Sequence, residues 1–193
     1  MIETVVSMGL AVDEAMEIRK NHLAPKVLTG KEKRICIVTG THGDELEGQY
    51  VCYEIIRRIN ENPSCLKGIV DVYPATNPLG VDCMTRGVPM FDLDLNRIFP
   101  GNEHGHMAEY AASKIIEDIA GADVCIDIHA SNVFLREIPQ VRINEQTVDT
   151  LLPLAKELNV DYIWIHAAAT VLESTLAYSL NVRNTPTLVV EMG

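Results

Sequence analysis

The stretch that most restricts the fold of this chain is an apolar run, RICIV at 34–38, that leads directly into the polar segment TGTHGDELEG at 39–48. A short apolar run bounded by glycine-rich sequence is typical of a buried strand. From Leu46 to Ile59 the apolar residues recur with a helical period, and an Asn-Pro pair marks the end of that helix. The sequence therefore predicts a strand, a tight turn and a helix, with a histidine and three acidic residues in and beside the turn.

Further strand and helix patterns alternate along the chain. The predicted elements are strands at 69–73, 124–128, 162–165 and 187–190, and helices at 107–120 and 148–158. This alternation predicts an α/β fold with a mixed, largely parallel central sheet flanked by helices. Residues 1–30 are compatible with a strand pair or with a helix. Residues 74–106 are predicted to form a long irregular loop, which in a compact domain is usually functional or disordered.

Length and charge exclude several classes of protein. The chain has 193 residues, which is typical of one domain with a sizeable core. A net charge of −11 argues against nucleic acid or an anionic membrane as the main partner. Since no run of 18 apolar residues occurs, no membrane span is expected. The N-terminus lacks the basic start and apolar stretch of a signal peptide.

The cysteines indicate the redox compartment. Their number is five, and no C-x-x-C spacing occurs among them. A disulfide framework or a cysteine zinc site is therefore not expected. We interpret the cysteines as buried, reduced thiols and expect a cytoplasmic protein.

Potential metal ligands follow two of the predicted strands. His42 and Glu45 come after the first predicted strand, and His129 comes after the strand at 124–128. Because ligands bind at the carboxyl ends of strands in open α/β sheets, we expect these side chains to lie together. Two imidazoles and one carboxylate with an open fourth position are the pattern of a catalytic zinc site. The H-x-x-E spacing alone is better explained by a simple turn in which Asp44 is the helix N-cap. A further histidine at the end of another strand, His129, shifts the interpretation toward a metal site.

A further acidic residue lies on the predicted strand that leads to His129. Asp127 precedes the histidine by two residues, so both side chains face the same side of the strand. A carboxylate there can orient a metal-bound imidazole, and an ordinary structural acid at a strand end is the alternative. The histidines interpreted as non-ligands are His22, His104, His106 and His166.

The long loop carries candidate groups for binding a carboxylate. These are Arg86, Asn96 and Arg97, and a guanidinium offers a fork of donors that matches a carboxylate. Surface arginines paired with Asp92 and Asp94 explain the same residues equally well. Spacing alone does not separate the two interpretations.

Several of these segments together carry a resemblance to a known family. The motifs, in chain order, are THGDE, Asn77-Pro78, Thr85-Arg86, DLNRIFPG, DIHAS and a closing VVEMG. From about residue 34 to its last residue, the chain resembles the succinylglutamate desuccinylase/aspartoacylase family, which is related to the zinc carboxypeptidases. The resemblance implies a zinc-carboxypeptidase-like fold and a zinc-dependent hydrolase that cleaves the amide bond of an N-acyl amino acid or a related small amide.

The resemblance also implies roles for individual residues. One Zn²⁺ per chain would be bound by His42, Glu45 and His129. Arg86 would help to polarise the scissile carbonyl, and Glu191 would be the general base that activates the attacking water. The residues that would hold a substrate carboxylate are Asn96 and Arg97. The place of Glu191 at the end of a predicted strand agrees with its role, because the two histidines also follow strands.

The resemblance raises a question about the extent of the domain. Family members usually continue past the catalytic glutamate into a smaller β-rich domain, so we expect residues 1–193 to form a catalytic domain truncated at its C-terminus. A zinc carboxypeptidase-like peptidase and a catalytically inert metal-binding fragment are the alternative functions. The expected partner is a small-molecule N-acyl amino acid, and formation of a homo-oligomer is left open.

Overall fold

A computed structural model describes residues 1–131, 134–167 and 173–193 of the chain. The strands in these ranges are β1 (Ile2–Gly9), β2 (Ala15–Leu23), β3 (Arg34–Val38), β4 (Ile69–Tyr73), β5 (Val124–Ala130), β6 (Gln140–Asn144), β7 (Tyr162–His166) and β8 (Thr187–Met192). The helices are α1 (Glu47–Glu61), α2 (Pro78–Cys83), α3 (Met107–Ile119), α4 (Val148–Ala155) and α5 (Leu176–Asn181). Within the described residues, none of these helices has both the length and the apolar character needed to cross a bilayer.

The described strands form one mixed sheet in the order β1-β2-β4-β3-β5-β8-β6-β7. The central strands β4, β3, β5 and β8 are parallel to one another, while β2 joins β4 and β6 joins β8 in antiparallel fashion. The chain moves outward from β3 to β4 and then crosses to β5 on the other side of β3, so the strand order reverses between β3 and β5. Such a reversal is where ligands bind in open α/β sheets. The predicted α/β fold with a mixed, mostly parallel sheet is confirmed.

Helices cover both faces of the sheet. Side chains alternate along β3, so Cys36 and Val38 enter one apolar core and Ile37 enters the other. The first core includes α3, for example through Ile115, together with α5. The second includes α1 and α4, for example through Leu151. Burial on both faces explains why β3 reads in the sequence as a continuous apolar run.

In one region the structure decides between two predicted alternatives, and in two others it differs from the prediction. Residues 1–30 contain a strand pair, in which β1 and β2 run antiparallel. The helix predicted at 148–158 ends at Ala155, because the backbone bonds that follow are of the tighter i to i+3 type, from Glu157 N–H to the Leu154 carbonyl and from Leu158 N–H to the Ala155 carbonyl. The loop predicted at 74–106 contains α2.

Helix α2 has a start signal that the sequence analysis did not use. Asn77 occupies the N-cap position and its side chain accepts a hydrogen bond from the Gly80 N–H at 3.0 Å. Pro78 follows in the first turn. Asparagine at the N-cap and proline just after it are favoured helix starts.

The cysteines are free, but the expectation that all of them are buried is wrong. Cys36, Cys52 and Cys125 are buried, and burial raises the pKa of each thiol, to about 11 for Cys36 and about 12 for Cys52. Cys65 and Cys83 are exposed. Cys65 ends a short 3₁₀ helix at Pro63–Cys65 and Cys83 ends α2, and neither side chain belongs to the two apolar cores.

A buried cluster of charges joins β2, β3 and β4 to α3. Asp71, which is 1% exposed, accepts a hydrogen bond from Arg34 Nε at 2.8 Å and lies 2.7 Å from His22 Nδ1. Lys20 Nζ donates to both carboxylate oxygens of Asp118, at 2.9 and 2.8 Å. Since these groups are largely removed from water, each charge depends on its partner.

We expect Asp71→Asn to destabilise the protein by about 3 kcal/mol, the lower end of the cost of removing one partner of a buried ion pair. Arg34 and His22 would lose a charged acceptor while remaining packed around the site. Urea unfolding extrapolated to water measures the change. The matched control is Glu117→Gln, which breaks a surface pair with Lys114 and should change stability by less than about 1 kcal/mol. Equal effects of the two substitutions would contradict the prediction.

Candidate metal centre

Two glycines shape the turn between β3 and α1. Gly40 has a φ of +68°, in the left-handed region that favours glycine. Gly43 lies so close to α2 that a Cβ atom there would come within 1.9 Å of the Gly80 carbonyl carbon. The Gly43 N–H donates to the Thr85 carbonyl at 3.0 Å. This bond holds the loop that carries Arg86 against the turn.

The turn itself carries two of the predicted ligands. Helix α1 begins at Glu47, and Leu46 occupies the N-cap position without a side-chain hydrogen bond. The interpretation of Asp44 as the N-cap is therefore wrong. His42 and Glu45 lie before the helix, where the backbone follows the glycine turn, and His42 Nδ1 is 2.7 Å from Glu45 Oε1.

His129 completes the group from the neighbouring strand β5. Its Nδ1 atom lies 3.0 Å from Glu45 Oε2 and 3.3 Å from His42 Nδ1. The three side chains are buried, and one ligand atom from each lies within 4.8 Å of the others. In the ranges that the structure describes, this is the one group of histidine, cysteine and acidic side chains able to hold a metal ion, and the other four histidines lie outside it.

The electrostatic setting of this group suits a bound cation. Burial raises the pKa of Glu45, but hydrogen bonds to His129 and His42 outweigh burial and bring the pKa to about 2. Burial lowers the pKa of His42, but contacts with Asp94 and Glu45 leave it above its ordinary value. For His129 likewise, Asp127 and Glu45 outweigh burial and raise the pKa. The surroundings favour positive charge at the point where the three ligand atoms meet, so the residues fit a divalent ion.

Each imidazole faces a carboxylate with its other ring nitrogen. His42 Nε2 lies within hydrogen-bond distance of Asp94 Oδ1, at 3.0 Å. His129 Nε2 lies 3.3 Å from Asp127 Oδ2, an ion-pair distance, and neither oxygen of this buried carboxylate has a hydrogen-bond partner among the described residues. Such partners orient metal-ligating histidines and leave the opposite nitrogen to the metal. Asp127 lies where the strand periodicity places it. The contact of Asp94 with His42 was not predicted, because the two residues are 52 positions apart and no local pattern links them.

The two arginines of the long loop have different surroundings in the same cavity. Arg86 donates to Glu45 Oε1 at 3.3 Å and to Asp94 Oδ2 at 3.1 Å. The alternative of an arginine paired with a loop acid therefore holds for Arg86. Arg97 is exposed and donates to the Asn96 carbonyl at 2.8 Å. Among the described residues no carboxylate lies within ion-pair distance of Arg97, so its guanidinium remains available to an anionic group.

Asn96 lies between the metal group and α5. It is 8% exposed, and its Nδ2 atom is 3.4 Å from His129 Nε2. Its Oδ1 atom accepts a hydrogen bond from the Leu176 N–H at 2.9 Å. Of the two polar groups of the Asn96 amide, only Nδ2 is a donor, so it is the one that could bond to a carboxylate.

The end of β8 places a further carboxylate beside His129. In the parallel register of β5 and β8, His129 pairs with Glu191. Burial raises the pKa of Glu191, while His129 and Arg142 oppose the increase. Glu191 lines the same cavity as the three candidate ligands. A carboxylate whose pKa lies nearer to neutrality is a better proton acceptor.

The cavity extends from the metal group to β6, a strand that the sequence analysis did not predict. Its volume is about 580 Å³. From β6, Arg142 donates through Nη1 to Glu191 Oε1 at 2.9 Å. The signal for this strand is the alternation in QVRIN at 140–144, where Val141 and Ile143 are buried and the three polar residues are only partly buried.

A family comparison identifies the fold on which this site is built. Residues 31–193 match the family model of the succinylglutamate desuccinylase/aspartoacylase catalytic domain. The chain belongs to the succinylglutamate desuccinylase/aspartoacylase family. The matched region begins just before β3 and contains all the candidate site residues, so the resemblance inferred from the motifs is confirmed.

Individual relatives resemble this chain over part of their length, one in sequence and two in structure. The N-alpha-acetyl-L-2,4-diaminobutyric acid deacetylase of Halomonas elongata is 29% identical over 114 residues, which are 58% of this chain and 33% of the deacetylase. The succinylglutamate desuccinylase/aspartoacylase structure from Rhodobacter sphaeroides has a TM-score of 0.81 at 21% identity, covering 98% of this chain and 57% of that one. The product-bound ectoine utilization protein EutE (DoeB) from Ruegeria pomeroyi has a TM-score of 0.79 at 18% identity, with coverage of 96% and 57%. The chain thus spans one third to somewhat over half the length of these relatives.

In this member of the succinylglutamate desuccinylase/aspartoacylase family, three neighbouring parallel strands supply the candidate site residues. The turn after β3 carries His42 and Glu45, β5 carries His129, and β8 carries Glu191. The prediction that the two histidines meet at the carboxyl ends of neighbouring strands is confirmed, since their Nδ1 atoms are 3.3 Å apart.

Proposed function

We propose that the protein is a zinc-dependent hydrolase that cleaves the amide bond of an N-acyl amino acid. The observation that carries the proposal is that one cavity brings together the group of His42, Glu45 and His129, the Glu191 carboxylate and the Arg97 guanidinium. The family name, which refers to desuccinylation and to aspartoacylase activity, supports an amide hydrolase. The deacetylase from Halomonas elongata supports removal of an acyl group from an amino acid.

The donor set supports zinc as the metal. His42 and His129 would supply nitrogen ligands and Glu45 an oxygen ligand, which is the three-ligand pattern of catalytic zinc. A zinc ion held there would polarise a carbonyl as a Lewis acid and lower the pKa of a water molecule. Asp94 and Asp127 would keep the two imidazoles in the orientation that ligation requires.

The remaining residues would carry the proton transfers and bind the substrate. Glu191 would take a proton from the attacking water as the water oxygen bonds to the carbonyl carbon. It would then deliver that proton to the leaving nitrogen as the C–N bond breaks, giving a carboxylic acid and a free amine, which ionise to a carboxylate and an ammonium group. Arg86 would donate to the oxygen on which negative charge develops. Arg97, helped by Asn96 Nδ2, would hold the carboxylate of the amino acid.

A peptidase that acts on short peptides is the second candidate. The cavity volume of about 580 Å³ falls within the range of cavities that enclose drug-sized ligands. A ligand larger than an acetylated amino acid therefore has room, and the same groups would cleave its amide bond.

The test is a hydrolysis screen with the zinc-loaded protein. N-acetyl amino acids, N-succinyl amino acids and short peptides are supplied in parallel, and the products are identified by mass spectrometry. We expect release of free amino acids from acyl amino acids, loss of turnover after chelation and recovery when Zn²⁺ is returned. Cleavage of peptides alone would support the peptidase instead. A zinc-bound protein that cleaves none of these amides would reject both enzymes and support an inert metal-binding fragment.

Arg97 offers a test of how the substrate is recognised. We expect Arg97→Gln to raise KM for an acyl amino acid by a factor on the order of 10 to 100, with little change in kcat, because a hydrogen-bonded charge is lost in both ground and transition states. The same substrate with its α-carboxylate converted to an amide should bind both proteins equally weakly. The control is Arg183→Gln, an exposed arginine on the chain after α5. An unchanged KM in Arg97→Gln would contradict the assignment.

A further inference from the structure

Arg142 on β6 lies between two carboxylates at the wall of the cavity. In the antiparallel pair of β6 and β8, Arg142 is opposite Val189 and Gln140 is opposite Glu191, so Arg142 and Glu191 are diagonal neighbours on one face. Arg142 Nη1 donates to Glu191 Oε1 at 2.9 Å, and Nη2 donates to Glu137 Oε1 at 3.1 Å. One guanidinium therefore ties two acids together beside the metal group.

The Arg142 guanidinium is held from more than one direction. Its Cζ atom lies 5.2 Å from the ring centroid of Trp164 on β7, within cation–π distance. Its Nε atom is buried and finds no hydrogen-bond partner in the described part of the chain. An unsatisfied buried donor is unfavourable for stability. The guanidinium is therefore fixed by two carboxylates and a ring even though one of its donors has no hydrogen-bond partner among the described residues.

The hydrogen bond from Arg142 occupies only one of the two carboxylate oxygens of Glu191. Oε1 accepts the bond from Arg142, and no hydrogen bond from the described residues reaches Oε2. A carboxylate fixed through one oxygen presents the other in a defined direction, which is what proton transfer to a positioned base requires. Arg142 differs in this respect from Arg97, which has no carboxylate partner among the described residues and is available to a substrate.

We propose that Arg142 is a positioning residue that holds Glu191 by Oε1 and directs Oε2 toward the reacting water, while Glu137 and Trp164 hold Arg142. The inference rests on the proposed function, because it takes Glu191 as the base. Arg142 acts through Glu191 and does not contact the substrate. Its loss should therefore slow the chemical step and leave binding unchanged.

A double-mutant cycle on turnover tests this role. Arg142→Gln should lower kcat by about 10- to 100-fold, the range seen when an orienting partner of a site residue is lost, with KM and zinc content unchanged. In the Glu191→Gln background the same substitution should cause no further loss, since the residue through which it acts is already altered. Losses that multiply in the double variant would show a separate, structural effect and overturn the proposal. So would an unchanged kcat in Arg142→Gln.

Chemical rescue and a cycle on stability complete the test. Millimolar guanidinium should restore part of the turnover lost in Arg142→Ala, and Arg142→Lys should retain part of it, because each supplies a cationic donor near Glu191.

The unfolding midpoints of Arg142→Gln, Glu191→Gln and the double variant measure the interaction between Arg142 and Glu191 independently of turnover. Additive midpoints would mean that the pair does not form in solution, which overturns the proposal. A wild-type protein that hydrolyses no amide refutes the proposed function, whereas an active wild type with unaffected Arg142 variants refutes only the role of Arg142.

Discussion

Replacing Glu191 with glutamine is expected to lower kcat for an acyl amino acid by a factor on the order of 10² to 10⁴, the usual contribution of a general base. The substitution keeps the shape of the side chain and removes its ability to take a proton. KM and the zinc content should therefore change little. Steady-state kinetics and metal analysis of the same preparation measure both quantities.

The matched control for this substitution is Glu145→Gln, which alters an exposed glutamate just after β6. It should leave kcat unchanged. Turnover close to wild type in Glu191→Gln, with zinc intact, would reject the assignment of Glu191 as the base. Loss of zinc would instead make Glu191 a ligand and require a new role for Glu45.

His42→Ala and His129→Ala are each expected to abolish stoichiometric zinc binding. Each substitution removes one of three protein ligands whose donor atoms lie within 4.8 Å of one another. The loss of zinc affinity should exceed the roughly 10- to 100-fold that removal of an orienting partner costs, because a direct bond to the metal is lost. Turnover should decrease together with the zinc content, because without the metal no Lewis acid polarises the substrate carbonyl.

Zinc content after dialysis against a defined free Zn²⁺ concentration measures this loss. His104→Ala is the control, because His104 is an exposed loop histidine outside the metal group. Thermal unfolding with and without zinc gives a second measure, as a ligand that binds the folded state raises the midpoint. Zinc retained at the wild-type level by both variants would show that the metal site is assigned to the wrong residues.

The central strands could be predicted from the sequence because they are buried on both faces. β4 runs from Ile69 to Tyr73, with the predicted bounds, and β5 continues only two residues beyond its prediction, to Ala130. β6 was missed because it is half-buried, so Val141 and Ile143 alternate with polar residues and form no continuous run. The strand pair of β1 and β2 has the same mixed pattern at the edge of the sheet, where propensity alone does not decide between strand and helix.

The site was predictable to the extent that it depends on strand ends. The glycine turn after β3 and the histidine on β5 can be located by reading the chain in order, and parallel pairing then brings them together. Asp127 could be located too, because it shares a face of β5 with His129, but the contacts made by Asp94 and Arg142 could not. Asp94 lies 52 positions from His42, and Arg142 lies 49 positions from Glu191. Each meets its partner because a loop or an antiparallel strand passes the same edge of the sheet.

The sequence by itself determined the chemical types at the site and the local geometry that presents them. The turn at 39–48 and the position of the candidate ligand His129 follow from glycine, apolar runs and strand ends, all of which act over a few residues, and the resemblance to the family added Glu191. Only the tertiary structure decided that Arg86 donates hydrogen bonds to both Glu45 and Asp94, and that Arg142 donates one to Glu191. These contacts depend on the order of the strands in the sheet. That order follows from burying both faces of the whole sheet, and no local periodicity in the sequence encodes it.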